Sequence, residues 1–321
     1  PTMPDQDLVE VVTMRAASAL GLRVALCGIE HFDDERAIVI ERYDRVEQPG
    51  TGWMRVHQED MCQALRVAPF RKYESQGGPG AIQVADLIRR VSDDPGADNR
   101  RFAQALVFNW LVCSTDAHAR NYSLLISGTS VRLAPLYDLN SHLAFSTGSG
   151  NDLSMSIGGT FRASRLSVAD WLRVAPRLHV DGDWLAGEIA RQAREVVAAV
   201  AAAAEAGDIV RYESAAMRRL VASVEQWVQT LLPVPDSGTG SKVCPRFHIE
   251  REAATAARCA PARMGIVRRV CGRASPDRRP QPADPGIRNQ RQGCTAPSFD
   301  ANGRRRRRGS QRPRRVLNSI E

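Results

Sequence analysis

The chain is almost without lysine. Only Lys72 and Lys242 occur in 321 residues, so arginine carries nearly all of the basic charge behind the formal net charge of +8. Much of that arginine lies beyond residue 245. Basicity normally points to an acidic partner or nucleic acid, but here it describes the tail rather than the part of the chain that could fold. There is also no Cys-x-x-Cys pair. Cys244, Cys259, Cys271 and Cys294 are too widely scattered for a zinc site. Cys27, Cys62 and Cys113 stand in apolar or helical contexts and read as buried free thiols. No apolar run reaches the ~20 residues that spanning a bilayer requires. The start of the chain lacks a basic region followed by an apolar one, so no secretory leader is read. The expected location is the cytoplasm, with no membrane partner, and the glycosylation pattern at Asn121-Tyr122-Ser123 is then a chance match. Neither Gly-x-Gly-x-x-Gly nor a P-loop occurs.

What the chain does have is a stretch from Val112 to Ile126, where an apolar helical run gives way to a polar loop and then to a strand-like run. The loop carries Asp116 and, five positions on, Asn121; Asp138 closes the next apolar segment, Leu133-Ala134-Pro135-Leu136-Tyr137. This order suits phosphoryl transfer. One carboxylate accepts the proton of an attacking hydroxyl, while an amide oxygen and a second carboxylate offer the hard oxygen ligands that Mg2+ prefers. Asp116 is therefore the candidate base, and Asn121 and Asp138 the candidate metal ligands. His118 is read as orienting the loop through a hydrogen bond, and Arg120 as a partner for a phosphate. Each residue has a plainer reading. An aspartate at a helix end is often a cap, and an asparagine before a strand is often a turn residue.

Taken in order, Asp5–Leu20 predicts an amphipathic helix stopped by Gly21. Leu22–Cys27 and Arg36–Arg42 predict two strands joined through the polar stretch 31–35. Gln58–Leu65 predicts a short helix. Gly77-Gly78-Pro79-Gly80 then punctuates a loop that opens a helix over Ala81–Val91, and Lys72 could touch a phosphate or simply be solvated. Asp98–Cys113 predicts a largely buried helix. Ser123–Ile126 and Ser130–Leu133 predict a hairpin, followed by a long, weakly periodic loop over Asn140–Arg165. Helices follow from Ser167, over Asp183–Ala206 and over Val210–Leu232. A Pro/Gly linker near residue 233 leads into a disordered basic tail with a charge run at Arg304–Arg308. That tail could also be a shifted reading frame.

Asp116-Ala117-His118-Ala119-Arg120-Asn121 and Leu136-Tyr137-Asp138-Leu139 resemble the catalytic centre of the HipA family of serine/threonine kinase toxins. The segments starting at Ile40, Gln58 and Lys72 resemble that family too, and the likeness covers roughly residues 5–232. It implies an α+β, protein-kinase-like fold with a mostly helical large lobe and a remnant of the small lobe. The implied division is 1–45 for the small-lobe remnant and linker, 46–232 for the large lobe and 233–321 for the linker and tail. It also implies adenine and ribose contacts from Glu41, Tyr43 and Asp44, although an exposed, charged strand end is an equally open reading of these residues. ATP and Mg2+ are the implied cofactors. The implied partners are a helix-turn-helix antitoxin of the HipB type, DNA through that antitoxin, and a protein substrate such as glutamyl-tRNA synthetase. Relatives more often carry lysine where Arg120 stands. Glu10 matches the carboxylate that pairs with a phosphate-binding lysine, but no lysine precedes it here. The expectation is a chain beginning part-way through a HipA-like kinase, with impaired activity. A catalytically inactive antitoxin-binding remnant and a small-molecule kinase are the alternatives.

Overall fold

The most heavily satisfied buried charge belongs to Asp98, and it ties the main helix to the sheet beside it. Asp98 is fully buried. Its carboxylate accepts from Ser92 Oγ at 2.6 Å, Leu133 N at 2.9 Å and Arg132 at 3.0 and 3.2 Å, with Arg101 at 3.2 Å. Burial alone would raise the pKa of such a group, but the donors outweigh it and hold the pKa below the usual carboxylate value.

The structure, a computed structural model, describes residues 3–48, 50, 52–145 and 151–232. Helix α1 (Gln6–Ala19) stops at Gly21, whose φ of 79° is the left-handed turn expected of a glycine there. Three antiparallel pieces follow: β1 (Cys27–Phe32) with β2 (Glu35–Ile40), β3 (Arg45–Gln48) with β4 (Gly52–Arg55), and β5 (His57–Asp60). After them come α2 (Met61–Ala64), α3 (Ala81–Val91) and α4 (Pro95–Leu111), then the hairpin β6 (Ser123–Ser127) and β7 (Ser130–Leu133). Strands β5-β6-β7 form one antiparallel sheet. A hairpin of β8 (Asp152–Ile157) and β9 (Thr160–Arg162) precedes α5 (Val168–Val174), α6 (Gly182–Ala204), α7 (Gly207–Val210) and α8 (Ala215–Leu231). One apolar core joins α1, α4, α6 and α8, with Phe102, Phe108, Trp110, Trp171 and Tyr122 fully or almost fully buried. Side-chain caps start the main helices: Asp94 accepts from Ala97 N, Asp181 from Trp184 N and Ser214 from Met217 N.

The long helices and the β6–β7 hairpin follow the sequence pattern closely, whereas other elements depart from it. The expected strand Leu22–Cys27 pairs only through an isolated bridge from Val24 to Leu136. The hairpin instead begins at Cys27, in register with Ile40. The turn falls at Asp33-Asp34, inside the expected polar stretch, and the strands extend into its two ends, where largely open faces leave no apolar alternation to mark them. Gln58–Asp60 is strand β5, and the helix expected there shrinks to Met61–Ala64, started by the Asp60–Gln63 capping box. The long loop expected over Asn140–Arg165 contains the hairpin β8–β9, with Leu153, Ser154, Met155 and Ile157 buried. The helix expected from Val210 divides into α7 and α8 at Glu213, which has a left-handed φ of 47°. The linker, the tail, its four cysteines, Lys242 and Arg304–Arg308 lie outside the described residues.

Removing the Asp98 carboxylate strands the Arg132 guanidinium and the Leu133 amide, both turned toward it. Asp98→Ala is expected to lower stability by about 3–5 kcal/mol, read as a lower urea midpoint with an unchanged denaturant slope.

Candidate active site

The polar loop after α4 is held by its own main chain. Cys113 takes a left-handed φ of 52°, and Ser114 N bonds back to Asn109 O at 2.7 Å, so the chain turns sharply out of the helix. Neighbouring segments capture the freed carbonyls. Ser141 Oγ donates to Val112 O at 2.6 Å, His142 N to Cys113 O at 3.2 Å, and Ser154 Oγ to Thr115 O at 2.6 Å. His118 N then bonds to Asp116 O, and Asn121 N to His118 O, each at 2.9 Å, which winds residues 119–121 into one tight turn. That turn aims the Asn121 side chain back across the loop.

Asn121 is the junction. Its Nδ2 donates to Asp138 Oδ2 at 2.9 Å, to Asp116 O at 3.2 Å and to Asp138 O at 3.4 Å. Asp138 itself has a left-handed φ of 55°, unusual for a residue with a Cβ. The segment before it is pinned from two sides. Leu136 N donates to Arg23 O and Ala25 N to Leu136 O, both at 2.8 Å. A relay runs from Gln58 Nε2 to Ser123 Oγ (3.0 Å), on to Tyr137 Oη (2.6 Å) and then to Arg120 O (2.7 Å). Sheet, loop and Asp138 segment are thus cross-linked by polar groups that are themselves largely buried.

The candidate residues fall into two groups. Asp116, Asn121 and Asp138 converge. Tyr43 lies close by, its ring tilted against that of Tyr137 at 6.1 Å between centroids. The others are engaged or placed elsewhere. Glu41 is exposed, its N–H bonded to Leu26 O. Asp44 is only 3 % exposed, gripped by Arg42 at 2.6 and 2.8 Å, with Arg55 and Arg45 at 3.5 and 3.8 Å. These arginines hold its carboxyl below the usual range. Arg120 reaches Asp60 at 3.4 Å. His118 is buried, with no acceptor for its Nδ1 among the described residues and its Nε2 3.9 Å from Asp116. Its ring instead meets the Tyr73 ring edge-on at 5.2 Å, and burial lowers its pKa.

Sequence reasoning passed over Tyr73, whose hydroxyl donates to Asp116 Oδ1 at 2.5 Å. The only signal was its place beside Lys72, the single lysine of the described residues, just before a glycine-rich turn.

Burial and like charges both act on Asp138. Surrounding protein raises the pKa of Asp138, the Asp116 charge raises it further, and Asn121 and Lys72 pull the other way. Glu10, on α1, is pushed up to about 7 by burial and by the charges of Asp138 and Asp7. Among the described residues no arginine or lysine pairs with it. Asp138 thus feels the Asp116 charge and is itself felt at Glu10, with Lys72 opposing at Asp138, and among the described residues no group of three or more His, Cys, Asp or Glu side chains is placed to hold a metal ion. What the loop offers Mg2+ is one carboxamide and one carboxylate. The Asn121 amide oxygen and Asp138 Oδ1 accept no hydrogen bond among the described residues, so both are free to act as ligands.

A mostly helical lobe carrying small antiparallel hairpins, with an Asp-x4-Asn loop converging on a later aspartate, defines a protein-kinase-like fold. Residues 1–207 match the model of the HipA-like C-terminal domain, and the chain belongs to that family. It is 31% identical over 204 residues to the serine/threonine-protein kinase toxin HipA of Shewanella oneidensis, a match covering 60% of this chain and 47% of that protein. It is 38% identical over 162 residues to Y4mE of Sinorhizobium fredii, covering 50% of this chain and 38% of that protein. Both matches span less than half of the relative's length. Among solved structures it is similar to the HipA chain of the Shewanella oneidensis HipA, HipB and operator DNA complex, with a TM-score of 0.58 and 25% identity, covering 71% of this chain and 59% of that one. No helix among the described residues is long and apolar enough to cross a membrane.

The Glu10 shift has a testable sign. Between the ordinary value of 4.5 and about 7, the folded chain binds a proton that the unfolded chain has released. Stability is therefore lost as pH rises through that window, by at most about 3 kcal/mol. Glu10→Gln should raise the urea midpoint over wild type at pH 8, with a gain about 2 kcal/mol larger there than at pH 5.

Proposed function

We propose that this chain carries the catalytic centre of an ATP- and Mg2+-dependent HipA-like serine/threonine protein kinase that transfers the γ-phosphate of ATP to a protein hydroxyl. The observation that carries this reading is the convergence on Asn121, one carboxamide that joins the Asp116 loop to the Asp138 carboxylate at 2.9 Å. In this reading Asp116, exposed at the end of its loop, takes the proton of the acceptor hydroxyl. Asn121 and Asp138 hold Mg2+, which supplies charge neutralisation on the phosphates. Lys72 adds the nearest fixed positive charge, and Arg120 stands at the rim. Glu41, Tyr43 and Asp44 border the base and ribose of the nucleotide. With Asp44 gripped by Arg42, the ribose contact would require that ion pair to open or to be shared.

A partner of the HipB type is part of the same reading. The similar solved structure contains HipA together with HipB and its operator DNA, and this chain would reach DNA through such an antitoxin. Residues 1–45 are proposed as the small-lobe side of the site, 46–232 as the large lobe and 233–321 as linker and tail. One observation favours a second reading, that of a catalytically inactive antitoxin-binding module. Asp44, a proposed ribose contact, is closed off by Arg42 at 2.6 and 2.8 Å, as it would be in a chain that binds no nucleotide.

Nucleotide titration separates the two readings. Wild type should bind ATP in the presence of Mg2+ and lose at least tenfold in affinity (about 1.4 kcal/mol) when Mg2+ is chelated or Asp138 becomes Ala. Radiolabelled γ-phosphate should pass to protein, with glutamyl-tRNA synthetase as one acceptor to assay, and not to sugars or aminoglycosides. Metal-independent binding, or none at millimolar ATP, would leave the inactive module as the better account.

A further inference from the structure

We propose that Tyr73 is a positioning residue for the general base, its hydroxyl fixing the Asp116 carboxylate so that the second oxygen faces the acceptor. The inference rests on the kinase reading and adds a residue that reading does not use.

Asp116 stands on a short polar turn, with its side chain 59% exposed. Among the described residues the only hydrogen bond to its carboxylate comes from Tyr73 Oη, onto Oδ1 at 2.5 Å. His118 Nε2 lies 3.9 Å away, too far to share the task. A carboxylate on one tether rotates freely once that tether is lost. In phosphoryl transfer the base must meet the acceptor hydroxyl in one orientation, so freedom there lowers the rate directly. The tether leaves Oδ2 open to the acceptor.

Tyr73 is itself built to stay in place. Its ring stands edge-on to the buried His118, and Lys72 Nζ lies 4.9 Å from the ring centroid. Ala119 N donates to Lys72 O at 3.3 Å, stitching this segment to the catalytic loop. Gln76 N and Gly78 N both donate to Tyr73 O, at 3.0 and 2.9 Å. Position 78 accepts only glycine, because a Cβ there would collide with the Arg71 and Tyr73 carbonyls. On the far side Glu74 takes hydrogen bonds from Ser156 N at 2.6 Å and Ser156 Oγ at 2.8 Å, which anchors the arm to β8. An arm fastened at three points for one phenol is more than a loop needs in order to close. The phenol also remains a donor at any working pH, since burial and the Asp116 carboxylate push its pKa up to about 12.

The test uses the full chain with ring-fluorinated tyrosines placed at position 73, alongside Tyr73→Phe. Thermal melting and ATP affinity are followed as controls for fold and site. Tyr73→Phe should lower kcat on the order of tenfold, with ATP affinity and acceptor KM unchanged, and a fluorotyrosine, which keeps the donor, should restore most of the loss. An activity-free readout runs beside it. The fluorophenol at position 73, titrated by 19F NMR, should ionise at higher pH in the wild-type background than in Asp116→Asn. Coincident titrations, or a kcat indifferent to loss of the hydroxyl, would overturn the inference. A chain that transfers phosphate to no acceptor would defeat the kinase reading alone, and the titration would still decide whether the phenol holds the base.

Discussion

One carboxamide holds the site together. Asn121 reaches the main chain of the loop that carries Asp116 and both the main chain and the carboxylate of Asp138, so two elements far apart in the chain share a single hub. The hub works because its own backbone is rigid: the tight turn at 119–121 fixes where the side chain leaves, and Ser141, His142 and Ser154 fix the carbonyls behind it. Catalysis of phosphoryl transfer asks little of a protein beyond position and charge. A scaffold that spends buried serines and main-chain hydrogen bonds on one loop meets that demand.

The same geometry creates an electrostatic problem. Burial and the Asp116 charge make Asp138 harder to ionise, and burial with the Asp138 and Asp7 charges does the same to Glu10, which has no paired cation among the described residues. Like charges held out of water favour the protonated form. Backbone strain collects in the same place. Cys113 and Asp138 are both non-glycine residues at positive φ, one where α4 ends and the other at the carboxylate that Asn121 holds. Each costs on the order of 1 kcal/mol, and such costs persist where surrounding bonds over-determine the conformation.

How much of this was legible in the sequence depends on whether local or distant groups decide the outcome. The helix over Ala81–Val91 and the hairpin closing at Gly128 could be read directly, because period, caps and turn residues are local signals. The Asp116, Asn121 and Asp138 set was legible because its spacing is short and its residue types are chemically specific. The hairpin of β1 and β2 was misplaced because neither face is deeply buried, and that removes the alternation on which strand reading depends. The hairpin of β8 and β9 was hidden in a stretch rich in Gly and Ser, where burial of Leu153 and Met155 comes from helices distant in sequence. Glu10 and the segment holding Tyr73 were marked only by the family resemblance, because tertiary packing brings them to the site and no periodicity announces that.

Arg120 shows how a cation at the rim of the loop is accommodated. A planar guanidinium fork and a point-charge ammonium are not interchangeable. Here the fork turns to Asp60, whose other oxygen already accepts from Gln63 N at the start of α2. Arg120 is half exposed and the contact is 3.4 Å, so the pair contributes less than about 1 kcal/mol. It parks the guanidinium without locking it, and an incoming phosphate could exchange for Asp60 at little cost. Lys72 is placed differently. Its backbone is stitched to the catalytic loop through Ala119, and its charge is felt at both His118 and Asp138. Of these two cations, Lys72 is the one whose charge opposes ionic crowding at Asp138, while the Arg120 charge is felt at His118 and Tyr137.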